Sequence, residues 1–139
     1  MQVLNKVQIK TFQSWDREQD RRSTLMIANL ETGVQIIHSF PNSFHEKSSM
    51  VLMCKTEAAV IGGAIRKVLK ELAGSPRVVM NNWSEEAPGI AVEVCKDTQG
   101  EPYEEGIQVI FTDNGREVFY SSYNRYEASK LAEMLEACI

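Results

Sequence analysis

Apolar and polar residues alternate with period two over residues 6–15, with Val7, Ile9 and Thr11 on one side and Lys6, Gln8, Lys10 and Phe12 on the other. Successive side chains of a strand point to opposite faces, so this stretch predicts a strand with a basic, aromatic-tipped outer face. A charged connection covers 16–22. Apolar runs at 23–30 and 33–40 follow, parted by Glu31-Thr32-Gly33, and so short a break ending in glycine predicts a hairpin. Residues 41–48 are a polar loop of Pro, Asn, Ser, His and Lys, and 49–55 read as a fourth strand. That strand is apolar throughout its middle, which predicts cover on both faces.

The period then changes. From Thr56, a plausible N-cap, Ile61, Ile65, Val68, Leu69 and Leu72 recur at helical spacing, with Arg66, Lys67 and Lys70 on the far side. Gly74 and Pro76 end the helix. Gly62-Gly63 inside it costs about 1 kcal/mol of helix propensity per glycine relative to alanine. Close packing against a sheet accounts for the pair, because no phosphate-loop glycine pattern surrounds it.

A second pass repeats the order. Residues 77–83 form a strand that ends at Trp83, and an acidic break at 84–89 leads to 90–97, where Ile90, Val92 and Val94 alternate with Ala91, Glu93 and Cys95. A second acidic loop holds Tyr103. Strands at 106–112 and 116–123 are joined by Asp113-Asn114-Gly115, whose Asn-Gly pair is a strong hairpin signal. Tyr120 and Tyr123 read as packing residues. Asn124 and Glu127 make a capping box for a last helix that buries Ala128, Leu131, Leu135 and Cys138.

The chain is therefore written twice. Val34-Gln35-Ile36-Ile37 in one half echoes Ile107-Gln108-Val109-Ile110 in the other, each followed by one more strand and a helix. The expected fold class is α+β: two four-stranded antiparallel β-meanders, each followed by an α-helix, with the helices covering the apolar faces. A parallel α/β fold is not expected, because helices do not alternate with strands. At 139 residues the chain is expected to be a single domain (1–139) of two half-repeats, about 6–75 and 76–139, sharing one core.

The 43% hydrophobic content marks a globular chain. No apolar run is long enough to cross a bilayer and no apolar signal core opens the sequence, so a cytoplasmic protein is expected, with no membrane partner. Cys54, Cys95 and Cys138 are widely spaced, and His38 and His45 stand at ligand spacing from nothing. Buried reduced thiols, no metal and no cofactor are expected. Net charge is −4, unevenly divided: residues 1–78 hold eleven Lys/Arg against seven Asp/Glu, net +4, and residues 79–139 hold four against twelve, net −8. Local field decides where a polyanion lands, so the basic half could bind phosphate while the acidic half repels it.

The order β-β-β-β-α twice over resembles the Whirly fold of plant single-stranded-DNA-binding proteins. The same unit is similar to positive cofactor four, the PUR repeats and the mitochondrial guide-RNA matchmakers. The resemblance spans about residues 6–139 and is carried by Ser23-Thr24-Leu25-Met26-Ile27, by Leu52-Met53-Cys54-Lys55-Thr56-Glu57-Ala58-Ala59, and by residues 89–94 leading to the Asn-Gly hairpin. The Lys-Gly-Lys-Ala-Ala-Leu motif of the plant proteins is absent, with Lys6 and Lys10 the nearest basic residues. The resemblance implies sequence-tolerant binding of single strands at sheet edges, between protomers of a dimer or tetramer.

The residue types agree with that implication, since aromatics stack on any base for about 1–3 kcal/mol and Lys or Arg neutralises the backbone. Lys6, Lys10, Phe12, Trp15, Arg17, Arg21 and Arg22 form a basic, aromatic-interleaved segment, diluted to net +2 by Asp16, Glu18 and Asp20. Phe40 and Phe44, with His38, His45 and Lys47, make a second candidate platform. Trp83 is either a core residue or a stacking platform. Glu85-Glu86 and Glu104-Glu105 lie in acidic loops without a neighbouring imidazole, so no enzyme is expected. The expected function is binding of single-stranded nucleic acid, DNA before RNA, in replication, recombination, repair or transcription; the compactness of the chain is compatible with a phage origin. The alternative is a non-catalytic oligomeric interaction module or acidic inhibitor that engages protein partners through the second half.

Overall fold

The alternating segment near the N-terminus forms the first strand of an extensive antiparallel sheet. The computed structural model describes residues 3–12, 22–31, 33–39, 49–74, 77–81, 89–97 and 106–137, with backbone alone for 3–12, 22–24, 81, 97 and 119. In chain order the elements are β1 (Val3–Phe12), β2 (Arg22–Leu30), β3 (Val34–Ser39), β4 (Ser49–Met53), α1 (Lys55–Lys70), a 3-10 turn (Leu72–Gly74), β5 (Arg77–Asn81), β6 (Ile90–Asp97), β7 (Gly106–Asp113), β8 (Arg116–Asn124) and α2 (Arg125–Glu136). The protein is thus α+β with antiparallel strands and two helices. Among the described residues the strands follow the order β4-β3-β2-β1-β8-β7-β6-β5, so β4 and β5 are its edges.

Register separates the two faces of the first meander, because directly opposed residues of an antiparallel pair share a face. Ile27, Ile36 and Val51 lie in one row and Leu25, His38 and Ser49 in the next. These rows carry buried residues: Leu25, Ile27, Ile36 and Val51 are all nearly inaccessible. In the second meander Val92 opposes Phe111, Val94 opposes Val109, and Ile107 opposes Tyr123, all buried. Helix α1 adds Ala58, Ile61, Ile65 and Val68, and α2 adds Ala128, Leu131, Ala132 and Leu135, to one continuous cluster drawn from both halves. Although α1 follows the first meander, it approaches β5, β6 and β7 of the second, whereas α2 approaches β1, β7 and β8.

Two contacts fix how the halves meet. Phe12 at the end of β1 pairs with Ser122 of β8, and the Ser49 hydroxyl at the start of β4 donates to the Val118 carbonyl of β8 at 3.3 Å. From Val118 to Ser122 a strand advances about 14 Å, and the three inter-strand gaps from β4 to β1 also span about 14 Å. Strand β8 thus meets the first meander at the end where β1 finishes and β4 begins.

Several local expectations are corrected. The N-cap of α1 is Cys54, not Thr56: the Glu57 carboxylate accepts from the Cys54 backbone N–H at 2.9 Å, closing the turn two residues earlier. Gly62 packs against α2 rather than a sheet, because a Cβ there would stand 3.0 Å from the Ala132 carbonyl oxygen, and Gly63 meets nothing within 4 Å. Strand β4 is covered on one face only, with Met50 49% and Leu52 40% exposed. His38, grouped in sequence with the second candidate platform, is buried; the rest of that platform lies outside the described residues. Cys54 and Cys95 are half-buried rather than buried; Cys138 lies outside the described residues.

Other local expectations agree with the structure. Asn124 caps α2, accepting from the Glu127 backbone N–H at 2.8 Å. The Asn114-Gly115 turn has positive φ at both positions, 51° and 85°, the signature of a type I′ hairpin. Among the described residues no helix is long and apolar enough to cross a membrane.

Candidate nucleic-acid interface

The helix-free face of the first meander is built from the rows that alternate with the core. Lys6 pairs with Ala28, Ala28 with Gln35, and Gln35 with Leu52. The next row is Gln8, Met26, Ile37 and Met50, and the one after that Lys10, Thr24 and Ser39. Phe12 closes the series opposite Arg22. Two lysine positions on β1 thus stand at one margin of a face whose other margin, on β4, carries exposed methionine and leucine, with half-buried Met26 and Ile37 between. Both helices bury their apolar stripes with the residues of the opposite rows; on this face Ala28 is buried, Met26 and Ile37 are half-buried, and Met50 and Leu52 at the β4 margin are exposed.

Strand pairing brings four of the candidate residues together: Lys6, Lys10 and Phe12 on one strand and Arg22 at the first position of its neighbour. Trp15, Arg17, Arg21, Phe40, Lys47 and Trp83, with Phe44 and His45, lie outside the described residues. Met50 and Leu52 were missed by sequence reasoning. The signal was present, since the last strand of a meander is an edge and an edge is covered less than a central strand.

On the second half the same face is more polar. Arg77 on β5 is opposite Cys95, and Val79 is opposite Glu93. The Arg77 guanidinium donates to the Glu93 carboxylate at 2.7 Å, which neutralises the cation of that edge strand. Its neighbour Val79 is 44% exposed.

The chain matches no protein-family model and no curated protein.

The remaining chemistry lies away from this face. Burial lowers the His38 imidazole to about 4, so it is neutral at physiological pH. Burial, and then the Glu57 carboxylate, push the Cys54 thiol above its ordinary range; it stays protonated, and a protonated thiol is a weak nucleophile. Among the described residues no group of three His, Cys, Asp or Glu could hold a metal ion. A depression of about 330 Å³ lies along α2, lined by Tyr126, Ser129, Lys130, Glu133 and Met134. Tyr126 is 71% exposed there, on an element that carries none of the basic candidates.

Proposed function

We propose that the protein binds single-stranded nucleic acid, DNA before RNA, without catalysis and with little regard to sequence, and that it does so in the cytoplasm as a homo-oligomer in replication, recombination, repair or transcription. The observation that carries this reading is the helix-free face of the first meander, which runs from Lys6 and Lys10 on β1 to exposed Leu52 and Met50 on β4. The element order supports a Whirly-like arrangement of two ββββα units.

Physical chemistry assigns the parts. Every base has an apolar π-face, so a shallow apolar surface accepts bases irrespective of identity, while Lys6, Lys10 and Arg22 neutralise phosphates and release counterions. Phe12, Trp15, Phe40 and Trp83 are the proposed stacking residues, and Arg17, Arg21 and Lys47 extend the cationic margin. The −8 balance of residues 79–139 repels the backbone and confines it to the first half.

Fluorescence titration of Trp15 and Trp83 with an oligothymidine tests the reading. Quenching at low salt that weakens as salt rises supports it, and no response at low salt overturns it. A second reading, a protein-interaction module working through the acidic half, is favoured by exposed Val79 on the edge of that half. Untagged protein purified with a partner band and without excess 260 nm absorbance would support this second reading.

A further inference from the structure

The two edges of the sheet differ from ordinary edges. Native proteins guard an open edge with lysine, proline, a bulge or an inward-pointing charge, because its unpaired backbone groups template association. Strand β4 reads Ser-Met-Val-Leu-Met and carries no charge and no proline. Strand β5 reads Arg-Val-Val-Met-Asn, and its single charge is neutralised by Glu93. Each exposes large apolar side chains on the helix-free face, Met50 and Leu52 on β4 and Val79 on β5. The Ser49 end of β4 is occupied by Val118, which leaves Met50 to Met53 open among the described residues, against five residues in β5.

We propose that β5 of one copy pairs with β4 of a second copy, antiparallel like every pair already in the sheet, so that the chain assembles head to tail. Charge selects this pairing over the symmetric ones. β4 lies in residues 1–76, ten Lys/Arg against seven Asp/Glu and net +3, and β5 in residues 77–139, five against twelve and net −7; joining β4 to β4 sets like against like, and so does joining β5 to β5, whereas β4 to β5 sets opposites together. Such an interface is heterologous, and it closes into a ring or propagates according to the rotation between copies. The pairing uses the edge of the sheet and leaves its face open, with Val79 extending the apolar margin of Met50 and Leu52. Of the proposed function it shares only the homo-oligomer. Assembly is read without nucleic acid and strand binding by tryptophan quenching of the wild-type chain, so either can fail alone.

Sedimentation of the full chain and of two variants, Leu52→Lys and Val79→Lys, tests the pairing. Both residues are already exposed, so lysine is compatible with the fold; circular dichroism checks this, and Met50→Lys replaces Leu52→Lys if that variant is unfolded. The expected result is assembly of the wild type, a monomer for each variant alone, and a one-to-one pair that grows no further when the two variants are mixed, because the mixture retains one intact β4 and one intact β5. A monomeric wild type at micromolar concentration overturns the proposal. So does a single variant that still assembles, or a mixture that stays monomeric.

Discussion

Gly62 and Ala132 hold the two helices in contact: a Cβ built on Gly62 would lie 3.0 Å from the Ala132 carbonyl oxygen and 2.9 Å from Glu136 Cγ. Glu136 also reaches back to form an ion pair with Arg66. Gly63, one position on, is exposed and faces open space. The two glycines therefore respond oppositely to alanine. Gly63→Ala is expected to gain up to about 1 kcal/mol from helix propensity. Gly62→Ala meets a backbone oxygen that must give way, and overpacking of this kind costs about 1–3 kcal/mol. Urea denaturation should rank Gly62→Ala below Gly63→Ala by that margin.

The stability of the protein should depend on His38. Its pKa falls from the ordinary 6.5 to about 4 on folding, through burial. Between these values the unfolded chain takes up a proton that the folded chain refuses. Stability is thus fully present above pH 6.5, declines as pH falls toward 4, and loses no more from this group below that. The loss amounts to at most about 3 kcal/mol. Denaturation midpoints across this window should fall more steeply for the wild type than for His38→Leu.

The Asn114-Gly115 turn sets the register of β7 and β8. Gly115 sits at φ 85°, where a Cβ is disfavoured by about 1–2 kcal/mol. Gly115→Val should lower stability by at least that amount, read as a lowered thermal midpoint. Asn114→Gly should cost far less, because glycine adopts the same φ freely.

Charge reversal at Lys6 and Lys10 tests the candidate interface. Lys6→Glu with Lys10→Glu should weaken oligothymidine binding and flatten its salt dependence, by about 0.7 in the logarithmic slope for each single-strand phosphate that is no longer neutralised. Lys67 and Lys70 are exposed toward the far end of α1, and reversing them should leave the slope unchanged. Equal effects from both pairs would show nonspecific charge attraction.

Local pattern revealed the elements well, and long-range placement poorly. The period-two run of Val7 and Ile9, the 3.6 period of Ile61, Ile65 and Val68, and the Asn-Gly turn each encode their own structure within a few residues. The one-sided cover of β4 is not legible in its uninterrupted apolar run, because hydrophobicity reports what a side chain tolerates and an edge position is set by strands far away in sequence. His38 groups with Phe40 and Phe44 in sequence for the same reason: its row mates Leu25 and Ser49 come from other strands. Gly62 signals close packing, but its partner is a helix about 70 residues on. The lysines of β1 and Arg22 are legible as a basic segment, yet the face that they share with Met50 and Leu52 exists only once three strand registers are set.

The bridge from Ser49 to Val118 spans 69 positions, and Phe12 meets Ser122 at still greater separation. A chain emerging from the ribosome makes β4 long before the strand that meets the end of its meander, so the first half must wait, with its apolar rows incompletely covered, until β8 and α2 arrive. Loop closure at such range is slow relative to hairpin formation. Synthesis and chaperone capture therefore bear on this protein at one interval, between the completion of α1 and the emergence of α2.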